Sequence, residues 1–159
     1  MRTQSTAAPV RTSIVVEAAV PRAFEVFTQE MTSWWPEDHH LLDGEIADMV
    51  LERRVGGRIY DRTADGRECA WARVLAYDPP DRIVFTWDIS TAWQIESDPE
   101  RTSEVEVRFI AESESRTRVE LEHRHIERHG DGWESMYGTV SSPGGWPKTL
   151  AAYAATVAG

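Results

Sequence analysis

The chain has 159 residues, of which 41% are hydrophobic and 28% are charged, and its formal net charge is −10 at pH 7. This length and composition fit one globular domain with a substantial core. The acidic balance argues against nucleic acid, which proteins hold with Lys and Arg, and against an anionic membrane surface. The single cysteine, Cys69, excludes an intramolecular disulfide and a cysteine-based zinc site.

No segment predicts export or membrane insertion. Residues 1–11 are predicted as a loose N-terminal tail without the apolar run of a signal peptide, and residues 12–159 as one domain. No uncharged apolar stretch approaches the roughly 20 residues that a membrane helix needs. We therefore expect a cytoplasmic protein with neither nucleic acid nor membrane insertion among its interactions.

The chain begins with a predicted strand and a short helix. Residues 13–18 are rich in β-branched side chains, which predicts the first strand. A helix is predicted over about residues 21–31, with a proline in its first turn and aromatic residues at helical spacing. Pro36 disfavours helix at the residue before it, so residues 34–40 are predicted as a loop that carries aromatic and imidazole side chains.

Several segments in which apolar and polar residues alternate follow the loop, and turn residues separate them. Asp65-Gly66 predicts a hairpin, and the run from Asp78 to Asp81, with two prolines between them, predicts a further turn. Such short connections favour an antiparallel meander of six or seven strands. The later strands are predicted at residues 46–54, 58–62, 68–77, 82–89, 103–111 and 117–126.

The last part of the chain predicts the helix that covers the sheet. Residues 131–140 predict a short helix, and the final helix begins at Trp146-Pro147. Trp146, Leu150, Tyr153 and Val157 form one apolar stripe along it, and the alanines between them keep it slim. Because a slim helix on a curved sheet can leave space beneath it, we predict an α+β domain with an internal cavity.

Seven tryptophans give the strongest indication of function. They favour an aromatic-lined interior, although a packed core or an interface, and hence a homodimer, stay open as alternatives. Strand alternation predicts that Trp71 and Trp87 line one wall, with Trp146 and Tyr153 as the lid. Alternation also places Arg73 on the same face of its strand as Trp71. This predicts a guanidinium that points into the cavity and could hold an acidic group of the ligand.

The histidines supply the candidate polar groups. His123 and His125 lie two residues apart on one predicted strand, so both are expected on its covered face, roughly 7 Å apart. They could ligate a metal, act as acid and base, or line the cavity as polar groups, and the last is favoured. His129 precedes a glycine in a turn and is predicted to be exposed.

The loop before the second strand is predicted to border the cavity mouth. Trp34 or Trp35 is expected to pack inward while one histidine makes a polar contact, and Trp35 and His39 are the candidates for the ligand site. The run Glu37-Asp38-His39-His40 could form half of a divalent-metal site, but no second cluster has matching spacing. No metal and no cofactor are therefore predicted.

Six sets of residues carry a resemblance to a known family, namely 20–27, 34–36 with 39–40, 56–60, 74–84, 117–123 and 145–146. These segments resemble the START-like (SRPBCC) superfamily, in the group named after an activator of the ATPase of a heat-shock chaperone. The resemblance extends in order from Ser13 to Val157 and implies the helix-grip fold, a curved antiparallel sheet wrapped around a long C-terminal helix. Relatives in the superfamily bind lipids, hormones or polyketides, or catalyse cyclisation.

Three functions stay open at this point. The favoured one is binding of a small hydrophobic or aromatic molecule, and the second is an enzyme of cyclase or hydrolase type with His123 or His39 as general base. The third is binding to a chaperone through the surface. No catalytic residue is assigned, and the predicted ligand-binding residues are Trp35, His39, Trp71, Arg73, Trp87, His123, His125, Trp146 and Tyr153.

Overall fold

The computed structural model describes residues 8–37 and 39–158 and contains seven strands in this part of the chain. The strands are β1 (Val10–Val16), β2 (Ile46–Leu51), β3 (Arg58–Thr63), β4 (Glu68–Asp78), β5 (Arg82–Trp87), β6 (Ser103–Ser113) and β7 (Arg116–Arg124). They form one antiparallel sheet in the order β1-β7-β6-β5-β4-β3-β2, so the first strand joins the last and every other pair is consecutive. This is the helix-grip sheet that the sequence predicts.

Four α-helices accompany the sheet in the described residues, namely α1 (Val20–Gln29), α2 (Met31–Trp34), α3 (Trp133–Ser141) and α4 (Trp146–Ala158). Short 3-10 turns lie at Pro99–Arg101 and Ile126–His129. Trp35 is extended, with φ −64° and ψ 130°, as the following proline requires. Among the described residues, no helix combines the length and the hydropathy needed to cross a bilayer.

The predicted tail boundary differs from the structure. Strand β1 begins at Val10, two residues before the predicted domain start, because it pairs with β7 from Val10 opposite His123 to Val16 opposite Thr117. Residues 1–7 lie outside the described residues.

The core fills one half of the concave face of the sheet. The ring of Phe27 on α1 makes edge-to-face contacts with Phe109 on β6 and Tyr153 on α4, at centroid distances of 5.7 and 5.5 Å. Tyr153 also contacts Trp34 of α2 at 5.3 Å. Burial of each such ring stabilises the fold by about 2–3 kcal/mol. The helices α1 and α2 thus occupy this half, and the space beside β3, β4 and β5 stays open.

The opposite face of the sheet carries a charged cluster around Glu106 on β6. Its carboxylate accepts hydrogen bonds from Arg82 on β5, from Arg108 and from Arg124 on β7. Burial raises the pKa of the Glu106 carboxyl, but the three guanidinium groups outweigh it and bring the pKa to about 2. This outer face is therefore held by ion pairs across three strands.

Candidate functional site

A cavity of about 360 Å³ lies between the concave face of the sheet and the corner that joins α3 to α4. This volume lies within the range of small-molecule sites. The walls come from the loop after α2, from strands β3 to β5, and from the start of α4. The lining residues are Trp35, His39, His40, Leu41, Asp61, Trp71, Trp87, Ile89, Trp93, Thr139, Val140, Gly144, Gly145, Trp146 and Thr149.

Four indoles form a closed cycle of ring contacts in the cavity wall. Trp35 contacts Trp71 at 5.2 Å, and Trp71 contacts Trp87 at 5.8 Å. Trp87 contacts Trp146 at 5.5 Å, and Trp146 returns to Trp35 at 6.1 Å. The rings meet mostly edge to face, which is the favoured geometry of aromatic pairs. The tryptophans therefore support one another and still border the cavity.

A fifth indole, Trp93, also borders the cavity but is 42% exposed. Its backbone has a φ of 58°, an unusual conformation for a bulky residue. This residue lies in the segment of residues 90–100, whose place the sequence pattern leaves open. Of that segment, the structure places Trp93 at the cavity.

A β-bulge at Trp71 explains why Arg73 lies away from the cavity. Ile59 pairs with Ala72 whereas Tyr60 pairs with Ala70, so Trp71 is an extra residue that reverses the alternation of β4. Val74 is consequently buried. The side chain of Arg73 is 41% exposed and makes two hydrogen bonds to Asp88, at 2.9 and 3.0 Å. The predicted inward guanidinium was wrong for this reason.

Tyr153 occupies the core and not the lid of the cavity. It lies seven residues after Trp146, about 10 Å further along the helix axis. At that level α1 and α2 cover the helix, and the Tyr153 hydroxyl donates a hydrogen bond of 2.7 Å to the Ala23 carbonyl. Burial raises the pKa of this phenol, which is fully buried. The helical stripe was therefore predicted well, but only its first residue reaches the cavity.

His123 lies behind the tryptophan wall in a chain of buried hydrogen bonds. Its Nδ1 accepts the indole N–H of Trp146 at 3.0 Å. Since an indole only donates, the neutral imidazole carries its proton on Nε2, which donates to the Ser103 hydroxyl at 2.7 Å. The Ser103 hydroxyl in turn donates to Nε2 of His129, also at 2.7 Å. Both ring nitrogens of His123 are thus occupied, and its ring does not line the cavity.

Burial keeps His123 and His129, the two histidines in this series of hydrogen bonds, in their neutral forms. Desolvation, with His129 as a second cause, lowers the pKa of His123 to about 3, and desolvation also lowers the pKa of His129. The prediction that His129 is exposed was wrong, because it is only 1% exposed. The 3-10 turn at Ile126–His129 folds this residue back against β6, where Ser103 meets it.

His125 does not share the strand face of His123. Strand β7 ends at Arg124, and His125 has a φ of 65°, in the left-handed region. This turn breaks the two-residue alternation on which the prediction depended. His125 is half-buried and lies outside the cavity lining.

Asp61 is the polar centre of the cavity and was missed by the sequence interpretation. It is 2% exposed, and its two carboxylate oxygens accept hydrogen bonds from the Trp71 indole at 3.2 Å and from Nδ1 of His40 at 2.7 Å. Strand alternation could have indicated that Asp61 is buried, because Asp61 lies two residues after the fully buried Ile59 and so on the same face of the sheet. A carboxylate on a covered face needs partners of this kind.

His39 and Trp35 keep the loop in place beside α4. The Trp35 indole donates to the His39 carbonyl at 2.9 Å, and Nδ1 of His39 lies 3.4 Å from the Thr149 hydroxyl. Asp38 of the proposed metal half-site lies outside the described residues. In the part of the chain that the structure describes, no three His, Cys, Asp or Glu side chains converge in a metal-binding group.

The family model described as activator of Hsp90 ATPase homolog 1-like protein matches residues 17–158. The chain belongs to this family. The resemblance to the START-like superfamily is thereby confirmed. Among curated proteins, no match is found.

Solved structures add more specific likenesses. The chain is 43% identical to the anthrahydroquino-gamma-pyrone synthase Txn09, with a TM-score of 0.66, over 96% of this chain and 97% of that one. It is 27% identical to the self-sacrificing resistance protein CalC from Micromonospora echinospora, with a TM-score of 0.67, over 94% and 93% of the two chains. The di-domain ARO/CYC protein BexL of the BE-7585A biosynthetic pathway is 18% identical, with a TM-score of 0.65 over 95% of this chain and 46% of that one, and shares the fold.

Proposed function

We propose that the cavity binds a flat polycyclic aromatic molecule that carries phenol or quinone oxygens. The observation that supports this most strongly is the cycle of Trp35, Trp71, Trp87 and Trp146 beside the polar pair of His40 and Asp61. The indoles supply an apolar wall for a planar ring system, and the polar pair supplies one oriented contact. The 43% identity with an anthrahydroquino-gamma-pyrone synthase supports the same ligand class.

Ring closure on such a molecule is a second candidate function. It is favoured by the description of that 43% identical structure as a synthase whose product contains a pyrone ring. In this case the aromatic wall would hold the substrate while a polar group of the cavity promotes closure. Chaperone binding and a homodimer stay predictions of the sequence.

The binding proposal is tested with 2,6-dihydroxyanthraquinone as the probe, titrated into the protein and followed by tryptophan fluorescence and calorimetry. We expect the wild type to bind it, and Trp87→Leu to bind about tenfold more weakly, since loss of an aromatic contact costs about 1.4 kcal/mol. Trp133→Phe is the matched control, because Trp133 lies on α3 outside the cavity and contacts Tyr137. A wild type without affinity for the probe, or equal affinity of Trp87→Leu, would contradict the proposal.

A further inference from the structure

We infer that His40 is a catalytic base of this cavity and that Asp61 is its positioning residue. In this role Nε2 of His40 accepts the proton of a phenolic hydroxyl on the bound aromatic molecule. The inference rests on the proposed function, because it assigns the chemistry of the same site.

The geometry fixes which nitrogen of His40 is available. Its Nδ1 lies 2.7 Å from the Asp61 carboxylate, and an ionised carboxylate only accepts hydrogen bonds, so the proton of the neutral ring resides on Nδ1. Nε2 then carries the lone pair. Within the described residues, no hydrogen bond to Nε2 is formed, and the ring borders the cavity.

Asp61 is held firmly enough to orient the imidazole. Its second oxygen accepts the N–H of Trp71, whose ring is fixed by Trp35 and Trp87. The side chains of His40 and Asp61 are only 8% and 3% exposed, so the pair acts at low local dielectric. A carboxylate in this position stabilises the imidazolium that forms when His40 takes a proton, which is the role of the acid in a serine-protease triad.

The other titratable groups near the pair do not offer the same arrangement. His123 has both nitrogens occupied and lies behind the wall. Cys69 faces Asp61 in the β3–β4 register, and burial, together with the Asp61 charge, raises the pKa of its thiol. Nδ1 of His39 lies 3.4 Å from the Thr149 hydroxyl on α4, so this ring is engaged with the helix.

The reaction that this base supports is an isomerisation that forms a ring. The phenolic O–H bond breaks, its proton moves to Nε2 of His40, and the electron pair stays on the oxygen. The phenolate then attacks the β-carbon of an α,β-unsaturated ketone in the same molecule, a C–O bond forms, and the displaced π electrons give an enolate. The imidazolium returns its proton to the α-carbon, so no oxidant or reductant is consumed.

The ionisation of a bound phenol tests the inference directly. The absorption spectrum of bound 2,6-dihydroxyanthraquinone is followed from pH 5 to pH 11 in the wild type, in His40→Gln and in Asp61→Asn. We expect the bound phenol to ionise about one pH unit lower in the wild type than in His40→Gln, because only the wild type can form the phenolate–imidazolium pair.

The dimethoxy analogue of the probe is the chemical control, since it has no proton to lose and its spectrum should not change with pH. Binding of the dihydroxy probe with identical ionisation in the wild type and in His40→Gln would overturn the role of His40 while leaving the binding proposal intact. Failure of the wild type to bind the probe would overturn both. Circular dichroism of each variant shows that a lost effect does not arise from unfolding.

Discussion

At the residue scale, the buried chain that runs from Trp146 through His123 and Ser103 to His129 couples the cavity wall to the interior. With the tautomers that Trp146 imposes, Nδ1 of His129 carries a proton, and this buried atom has no hydrogen-bond partner among residues 8–37 and 39–158. An unsatisfied buried donor costs about 1–3 kcal/mol. This series of hydrogen bonds therefore fixes the orientation of the Trp146 indole, but it lowers the free energy of unfolding.

The two buried histidines, His123 and His129, should make the protein less stable in mild acid. The folded state keeps His123 and His129 neutral, whereas the unfolded chain protonates them below a pH of about 6.5. The unfolded state then binds more protons, so the free energy of unfolding falls as the pH falls, by up to about 1.4 kcal/mol per pH unit for each histidine. Urea unfolding at pH 7.5, 6 and 5 measures this slope.

The variant His129→Gln should have a shallower slope than the wild type over the same range. His125→Gln is the matched control, because His125 is half-buried and lies outside the chain of hydrogen bonds. A wild-type unfolding free energy that is constant from pH 7.5 to pH 5, or equal slopes for the wild type and His129→Gln, would contradict this account of the buried histidines.

At the element scale, the corner between α3 and α4 sets the position of Trp146. A Cβ atom built on Gly145 would lie 2.3 Å from the Val140 carbonyl and 2.5 Å from the Thr139 carbonyl, both backbone atoms that cannot turn aside. A Cβ atom on Gly144 would have only the Ser142 hydroxyl of the described residues nearby, at 4.0 Å. The two adjacent glycines thus differ sharply in the space around them.

We expect Gly145→Ala to displace the start of α4, to lower the free energy of unfolding by about 2 kcal/mol or more, and to weaken probe binding. Gly144→Ala, the matched control, should change stability by less than about 0.5 kcal/mol. Thermal unfolding and the fluorescence titration measure both effects. Equal stabilities of the two variants would show that the close approach at Gly145 does not constrain the corner.

The strands show where sequence patterns suffice and where they fail. Alternation correctly placed Trp87 of β5 and His123 of β7 on buried faces, because β5, β6 and β7 pair in continuous register over residues 82–87 and 104–110. It failed after Trp71, where the bulge reverses the phase and turns Arg73 outward. A bulge depends on the register of two strands, so a single strand's pattern does not contain it.

At the scale of the whole molecule, the order of elements and the long final helix were predicted from turns, periodicity and the family resemblance. The aromatic residues of the cavity were predicted in the same way, since Trp35, Trp71, Trp87 and Trp146 all border it. The pair of His40 and Asp61 was not predicted, because its partners are 21 residues apart and meet only when a loop packs across β3. Contacts of this kind depend on tertiary folding and leave no local pattern.

We propose that the tryptophan wall and the His40–Asp61 pair together receive one planar aromatic ligand. A crystal structure of the protein with 2,6-dihydroxyanthraquinone tests this most directly. We expect the ring system to lie against the indoles of Trp71 and Trp87, with one ligand oxygen about 3 Å from Nε2 of His40. A probe bound elsewhere on the protein, or a cavity whose indoles close on one another and exclude it, would contradict the account.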